Sequence, residues 1–231
     1  MTTFLRTPKR FLHRNIRWLS AIAFALVFLL SIGCTKKLDY FSYVSELRDN
    51  IFLAQTDELS LKIYSVTKEH PYAADGIPKD RTARVEAYLA APSGEKTYEL
   101  FFTVDGKEYG GEMSYDNVKA EYFFSCSLNV SALKEIPCVL LCGEERTELS
   151  AQSVVNDSTL SAKTVLQGIL TEEQELFNSL TDKYGFAGEI YVRLLYEDNA
   201  YYYVGIVDRS GNSHAFLVNA QTGKILAKRH S

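Results

Sequence analysis

The sequence predicts a mainly β chain in two parts, an antiparallel β-sandwich followed by a helix packed on a three- to four-stranded antiparallel sheet. Three observations carry this expectation. Short alternating apolar and polar runs, divided by Pro, Gly and Asp signals, fill residues 50–155. Apolar residues at three- and four-residue steps (Val165, Leu166, Ile169, Leu176, Phe177, Leu180, Tyr184) mark one helical face. Three or four further β runs then close the sequence, giving a compact α+β unit.

Ahead of both parts lies an uncharged stretch, residues 18–33, preceded by Arg6, Lys9, Arg10, Arg14 and Arg17 with no acidic residue. A positive segment feeding an apolar one reads as an export signal. As helix, these residues span about 24 Å, short of the roughly 30 Å hydrocarbon core, which favours processing over an uncleaved anchor or plain secretion. The string Leu30-Ser31-Ile32-Gly33-Cys34 resembles the lipobox of bacterial lipoproteins. That resemblance implies removal of residues 1–33 and a diacylglyceryl group on Cys34. Two acyl chains hold a protein stably at a bilayer, so the body is expected to be tethered to the extracytoplasmic face of a bacterial membrane. No later segment approaches eighteen apolar residues, which excludes a helical channel or transporter.

Loss of residues 1–33 removes five basic and no acidic groups and takes the formal charge from −4 to −9. Nucleic-acid partners need clustered Lys or Arg and are excluded on this ground. With Cys34 lipidated, Cys126, Cys138 and Cys142 remain. Either one bridge forms, from Cys126 to Cys138 or Cys142, or all three are apolar thiols in a sheet core. The spacing Cys138-x3-Cys142 lacks a second ligand pair, so no metal is expected.

The lead-in at residues 34–49 carries Leu38, Phe41, Val44 and Leu47 at near-helical spacing, as a short helix or an extended tether. Residues 51–54 and 59–66, joined by Thr56-Asp57-Glu58, predict a hairpin. Further runs lie at 83–90, 96–104, 107–113, 121–128 and 136–142. Asp105-Gly106 supplies the positive φ angles of a two-residue type I′ turn. Seven or so short strands in this span resemble immunoglobulin-like sandwiches, a likeness that implies architecture and no function. A polar stretch at 150–159 places the boundary between the sandwich (50–155) and the α+β part (156–231). In the latter, Thr171-Glu172-Glu173-Gln174 matches a capping box and Gly185 stands where a helix C′ glycine would.

The strings Tyr203-Val204-Gly205-Ile206-Val207-Asp208 and Phe216-Leu217-Val218-Asn219-Ala220-Gln221-Thr222-Gly223-Lys224-Ile225-Leu226 resemble the end of PepSY-type domains, over roughly residues 160–229. That family is associated with regulation of exported peptidases, so the resemblance implies a non-catalytic binding module. Independently of it, Asn219 is expected to bond its own turn and Gly223 to take positive φ.

No nucleophile elbow, P-loop, dinucleotide fingerprint or helical metal pair is present, and His70, His214 and His230 are scattered along the chain. Glu144-Glu145 and Glu172-Glu173 read as a strand end and a helix start, not a cleft. No catalytic residue and no cofactor are assigned. What remains is aromatic. Tyr201, Tyr202 and Tyr203 crowd one hairpin with Tyr191 and Tyr196, and alternation turns Tyr202 away from its neighbours; one tyrosine face is expected on the helix and the other free as a platform, with Tyr201, Tyr202 and Tyr203 all candidate binding residues. The loop at 69–80, with His70 and Tyr72, is a second candidate contact surface. The expectation is a lipid-anchored, non-enzymatic module that binds an envelope protein, peptide or glycan. The alternatives are a protease inhibitor or regulator, and a hydrolase built on two carboxylates brought together from afar.

Overall fold

Alternating apolar residues build most of this protein into one continuous sheet. The computed structural model describes residues 38–71, 75–92 and 94–231. The lipobox residues Leu30, Ser31, Ile32 and Gly33, with Cys34, and Tyr72 of the candidate loop lie outside the described residues.

A single 3-10 turn, Tyr40–Tyr43, opens the fold, with the Asp39 carboxylate accepting the Phe41 N–H at 3.1 Å. It leads straight into the twelve-residue strand β1, Val44–Gln55. Residues 44–49 are therefore not a tether or a helix, because their side chains find partners across two neighbouring strands; Val44, Ser45 and Glu46 are buried. β1 turns through Thr56, whose hydroxyl accepts the Leu59 N–H at 3.0 Å, into β2, Ser60–Glu69. β3 (Arg81–Ala90), β4 (Glu99–Val104), β5 (Lys107–Glu112), β6 (Ser114–Asp116), β7 (Glu121–Cys126), β8 (Glu135–Cys142) and β9 (Glu145–Ser153) follow. The β4–β5 turn is the expected one: Asp105 has φ 51° and Gly106 φ 75°, with Val104 opposite Lys107.

The pairing order is β1-β2-β3-β7-β6 on one side and β1-β9-β8-β4-β5 on the other, all antiparallel. Only Met113 separates β5 from β6, so the two ends of this path meet in one bent strand and the sheet nearly closes into a barrel. The Met113 N–H bonds the Tyr98 carbonyl at 2.8 Å, and the Tyr98 ring stands edge-on to Tyr122 at 4.8 Å. Inside lie every second residue of the strands: Phe52, Leu61, Ile63, Val85, Ala87, Leu89, Leu100, Phe102, Ile136 and Leu140, all almost fully buried. Cys126, Cys138 and Cys142 are free thiols, and burial pushes Cys138 up to about 12.

The chain then forms α1, Ala162–Glu172, capped by Ser161, whose hydroxyl accepts the Thr164 N–H at 3.1 Å, and the short α2, Gln174–Ser179. The two helices meet at Glu173. Thr171 is no cap; its hydroxyl bonds the Gln167 carbonyl at 2.9 Å, one turn back in α1. Gly185 is likewise not a helix terminus. It lies in a two-stranded ribbon, β10 (Thr181–Asp182) and β11 (Gly185–Phe186), where a Cβ would fall 2.5 Å from the Tyr43 hydroxyl. β12 (Gly188–Tyr196), β13 (Ala200–Asp208), β14 (Ser213–Asn219) and β15 (Ile225–His230) complete the chain as antiparallel neighbours. In the turn before β15 the Asn219 side-chain oxygen Oδ1 accepts the N–H groups of Gln221 and Thr222 at 3.0 and 2.9 Å, and Gly223 has φ 72°.

β12 pairs in parallel with the first half of β1, and β9 pairs with its second half. The sheet therefore runs across the boundary expected at residues 155–156, and residues 39–231 form one compact unit. Val165, Leu166 and Ile169 of α1 are buried, and so are Ile190, Val192, Leu194, Tyr202, Val204 and Ile206 of β12 and β13.

Candidate functional site

Residues directly opposite on paired strands share a face. Counting outward from the barrel interior, one face carries Phe123 on β7, Tyr88 on β3, Tyr64 on β2, Glu46 and Arg48 on β1, Tyr191 and Arg193 on β12, and Tyr201 and Tyr203 on β13. These side chains form a row across six strands, about 24 Å at the ordinary strand spacing. Ring centroids of Phe123 and Tyr88 lie 5.1 Å apart, and those of Tyr88 and Tyr64 5.5 Å. The Arg48 guanidinium sits 4.0 Å over the Tyr64 ring. Arg193 grips Glu46 through Nε and Nη2 at 2.9 and 2.5 Å and lies 4.9 Å from the Tyr191 ring, which stacks on Tyr203 at 6.0 Å. A bidentate guanidinium–carboxylate pair fixes both partners in plane, so the middle of the row is held rigid.

Glu46 is buried, whereas the aromatic and arginine members are half-exposed. Tyr88 is pushed up to about 12 by burial and then by Glu86, and Tyr191 is raised by burial and then by Tyr203. Glu86 in turn is ion-paired with Lys68. At the β7 end the row opens into a hollow of about 330 Å³ lined by Tyr88, Tyr115, Asp116, Lys119, Glu121 and Phe123, with the Lys119 ammonium 5.3 Å from the Tyr88 ring. Rings with protonated hydroxyls, a cation and carboxylates beside them suit the stacking and hydrogen bonding of a sugar or an extended peptide.

Of the residues singled out in sequence, Tyr201 and Tyr203 stand on this face, half-buried. Tyr202 does not belong to a binding surface. It is 2% exposed on the helix side, and its hydroxyl donates to the Leu160 carbonyl at 3.0 Å. His70 is exposed just past the end of β2. Arg48, Tyr64, Tyr88, Phe123 and Arg193 escaped the sequence reading. Their alternation within each strand was visible, but nothing in the sequence says which strands adjoin.

A second arrangement joins carboxylates distant in sequence. Glu69 and Glu189 are 1% and 0% exposed. Glu69 accepts the Lys79 N–H at 2.5 Å and Glu189 the Gly76 N–H at 3.2 Å, so the segment 75–80 hangs from both. Oε2 of Glu69, Oε1 of Glu189 and Nη1 of Arg81 are buried without a hydrogen-bond partner among the described residues. Burial, and then the charge of Glu69, raise the Glu189 pKa. The pair resembles the two-carboxylate arrangement of hydrolases in chemistry, and it lies beneath the segment 75–80.

At the last hairpin, His214 and His230 face one another with Nδ1 atoms 2.6 Å apart. Among the described residues no group of three or more His, Cys, Asp or Glu is placed to hold a metal ion. No helix among them is long and apolar enough to cross a membrane. Comparison of the chain with protein-family models, curated proteins and solved structures finds no match.

Proposed function

We propose that this chain is a membrane-anchored extracytoplasmic lipoprotein whose body is a non-enzymatic binding module for an extended peptide or glycan of the cell envelope. The observation that carries the reading is the half-exposed row from Phe123 through Tyr88, Tyr64 and Arg48 to Tyr191 and Tyr203, braced by the Glu46–Arg193 pair. In this reading residues 1–33 are removed and a diacylglyceryl group on Cys34 holds the barrel-like sheet, an elaborated immunoglobulin-like sandwich, at the bilayer.

The test uses the full chain. Retention on isolated cell-wall glycan and on immobilised extended peptides is compared with that of a Tyr88→Ala, Tyr203→Ala double variant. Retention of the wild type on one of the two, lost in the variant, supports the reading; equal retention, or none on either, overturns it. For the anchor, labelling with a fatty acid is expected in the wild type and not in Cys34→Ala; label persisting in the variant removes the lipoprotein part.

A second reading is favoured by one observation. α1 lies against β12 and β13 of a four-stranded antiparallel run, the arrangement expected of a PepSY-like unit, which suits an inhibitor or regulator of an exported protease. Protease assays with the full chain address it, and neither inhibition nor capture of the protease would remove it.

A further inference from the structure

We infer that His214 and His230 form a two-imidazole site for a divalent transition-metal ion, which would fasten β15 to β14. The residues are directly opposite in the antiparallel register, so both rings rise from the same face of the sheet. Their centroids are 4.8 Å apart at an interplanar angle of 73°, and the two Nδ1 atoms are 2.6 Å apart. The two Nδ1 atoms share a hydrogen bond, so both rings already bring a nitrogen to one spot.

A tetrahedral metal about 2.0–2.1 Å from each nitrogen needs the nitrogens roughly 3.3 Å apart. The rings must therefore open by about 0.7 Å, a small χ adjustment for side chains at the sheet's edge strand. His230 is exposed and His214 half-buried, so ion and water have access.

The local charge is also permissive. Lys228, two residues before His230 on the same face of β15, is engaged by Glu173, and Asp208 and Glu173 both act on His214 with the sign that favours a cation. Neutral imidazole suits zinc, nickel and copper, and water completes the coordination. The hydrogen between the rings moves from Nδ1 to Nε2 through solvent, so binding to the neutral pair releases no net proton. At acidic pH protons compete for the same lone pairs, and the site empties.

Zinc titration of the ¹⁵N-labelled full chain, read on the imidazole resonances, tests this. His214 and His230 are expected to shift together with one saturating midpoint while His70 stays in place. In His230→Asn the midpoint of the His214 shift should rise by about tenfold or more, and His214→Asn should do the same to His230, because a chelate loses its advantage when one ligand goes. Thermal unfolding confirms that both variants are folded. If neither histidine shifts up to roughly 1 mM zinc, or if each keeps a midpoint within that tenfold when the other is replaced, the pair is only a shared hydrogen bond and the site does not exist.

Discussion

Glu189 is a carboxyl group that the fold holds against its own preference. It is fully buried, one oxygen accepts the Gly76 N–H, the other has no partner among the described residues, and Glu69 and Asp75 bear on it with like charge while Lys79 is turned to Asp75. Its pKa is raised above the ordinary 4.5, so the folded state binds this proton more tightly than the unfolded state does. Between the ordinary value and the raised one the native protein carries more protons, and its stability falls as pH rises. Glu189→Gln abolishes that loss. The amide carbonyl can still accept from Gly76, and the amide N–H₂ offers a donor where Glu69 lacks one. We expect Glu189→Gln to melt above the wild type at pH 8 by about 2–4 °C, the shift of about 1 kcal/mol in a chain of this size. At pH 4 the difference should vanish. A difference that is the same at both pH values would mean that packing, not the proton, is responsible.

Among elements, β12 and β13 show how a missing side chain shapes the candidate surface. Gly205 lies opposite Tyr191, and a Cβ there would fall 2.0 Å from the Tyr191 ring. The glycine lets the ring lie flat across β13 and stack on Tyr203. Gly205→Ala should destabilise the protein by about 1–3 kcal/mol, the usual cost of overpacking. In a Tyr191→Ala background the same substitution should cost clearly less. Chemical denaturation of the four proteins of this cycle measures the difference, and equal costs would mean that the ring is not what the glycine accommodates. This pair also marks how far the sequence could be read. The Asp105-Gly106 turn and the Asn219–Gly223 turn are local matters of φ and were legible; alternation set Tyr202 apart from Tyr201 and Tyr203 but did not say that the helix covers its side. The face of Tyr203, Tyr191, Arg193, Arg48 and Tyr64 depends on β1 lying between β2 and β12, and the partners of β1 on β12 lie more than a hundred residues further along the chain. Alternation says which residues share a face of one strand and is silent on which strands are neighbours. Glu69 and Glu189 were hidden for the same reason.

At the scale of the whole molecule, β1 decides whether this is one body or two. Its first half is a parallel partner of β12, its second half an antiparallel partner of β9, and β2 covers its other edge throughout. Cutting the chain at residues 155–156 would leave β12 with an open edge and strip Leu47 from its place opposite Val192. It would also free Glu189 from Gly76, and Phe186 from its ring contacts with Tyr40 and Tyr43. Such a fragment keeps α1 over four strands but loses part of a core that small units can hardly spare. Residues 156–231 expressed alone should therefore give the narrow amide dispersion and fast proteolysis of an unfolded chain, and the full protein should unfold in one cooperative transition seen alike by far-ultraviolet circular dichroism and tyrosine fluorescence. Two separated transitions, or a well-dispersed spectrum from the fragment, would mean that the C-terminal unit stands by itself and that β1 only leans on it. Because the candidate binding row crosses this same strand, a single transition also carries a consequence for function: destabilising β1 should loosen Arg48 from Tyr64 and Arg193 from Glu46 together, and binding should fail along the whole row at once.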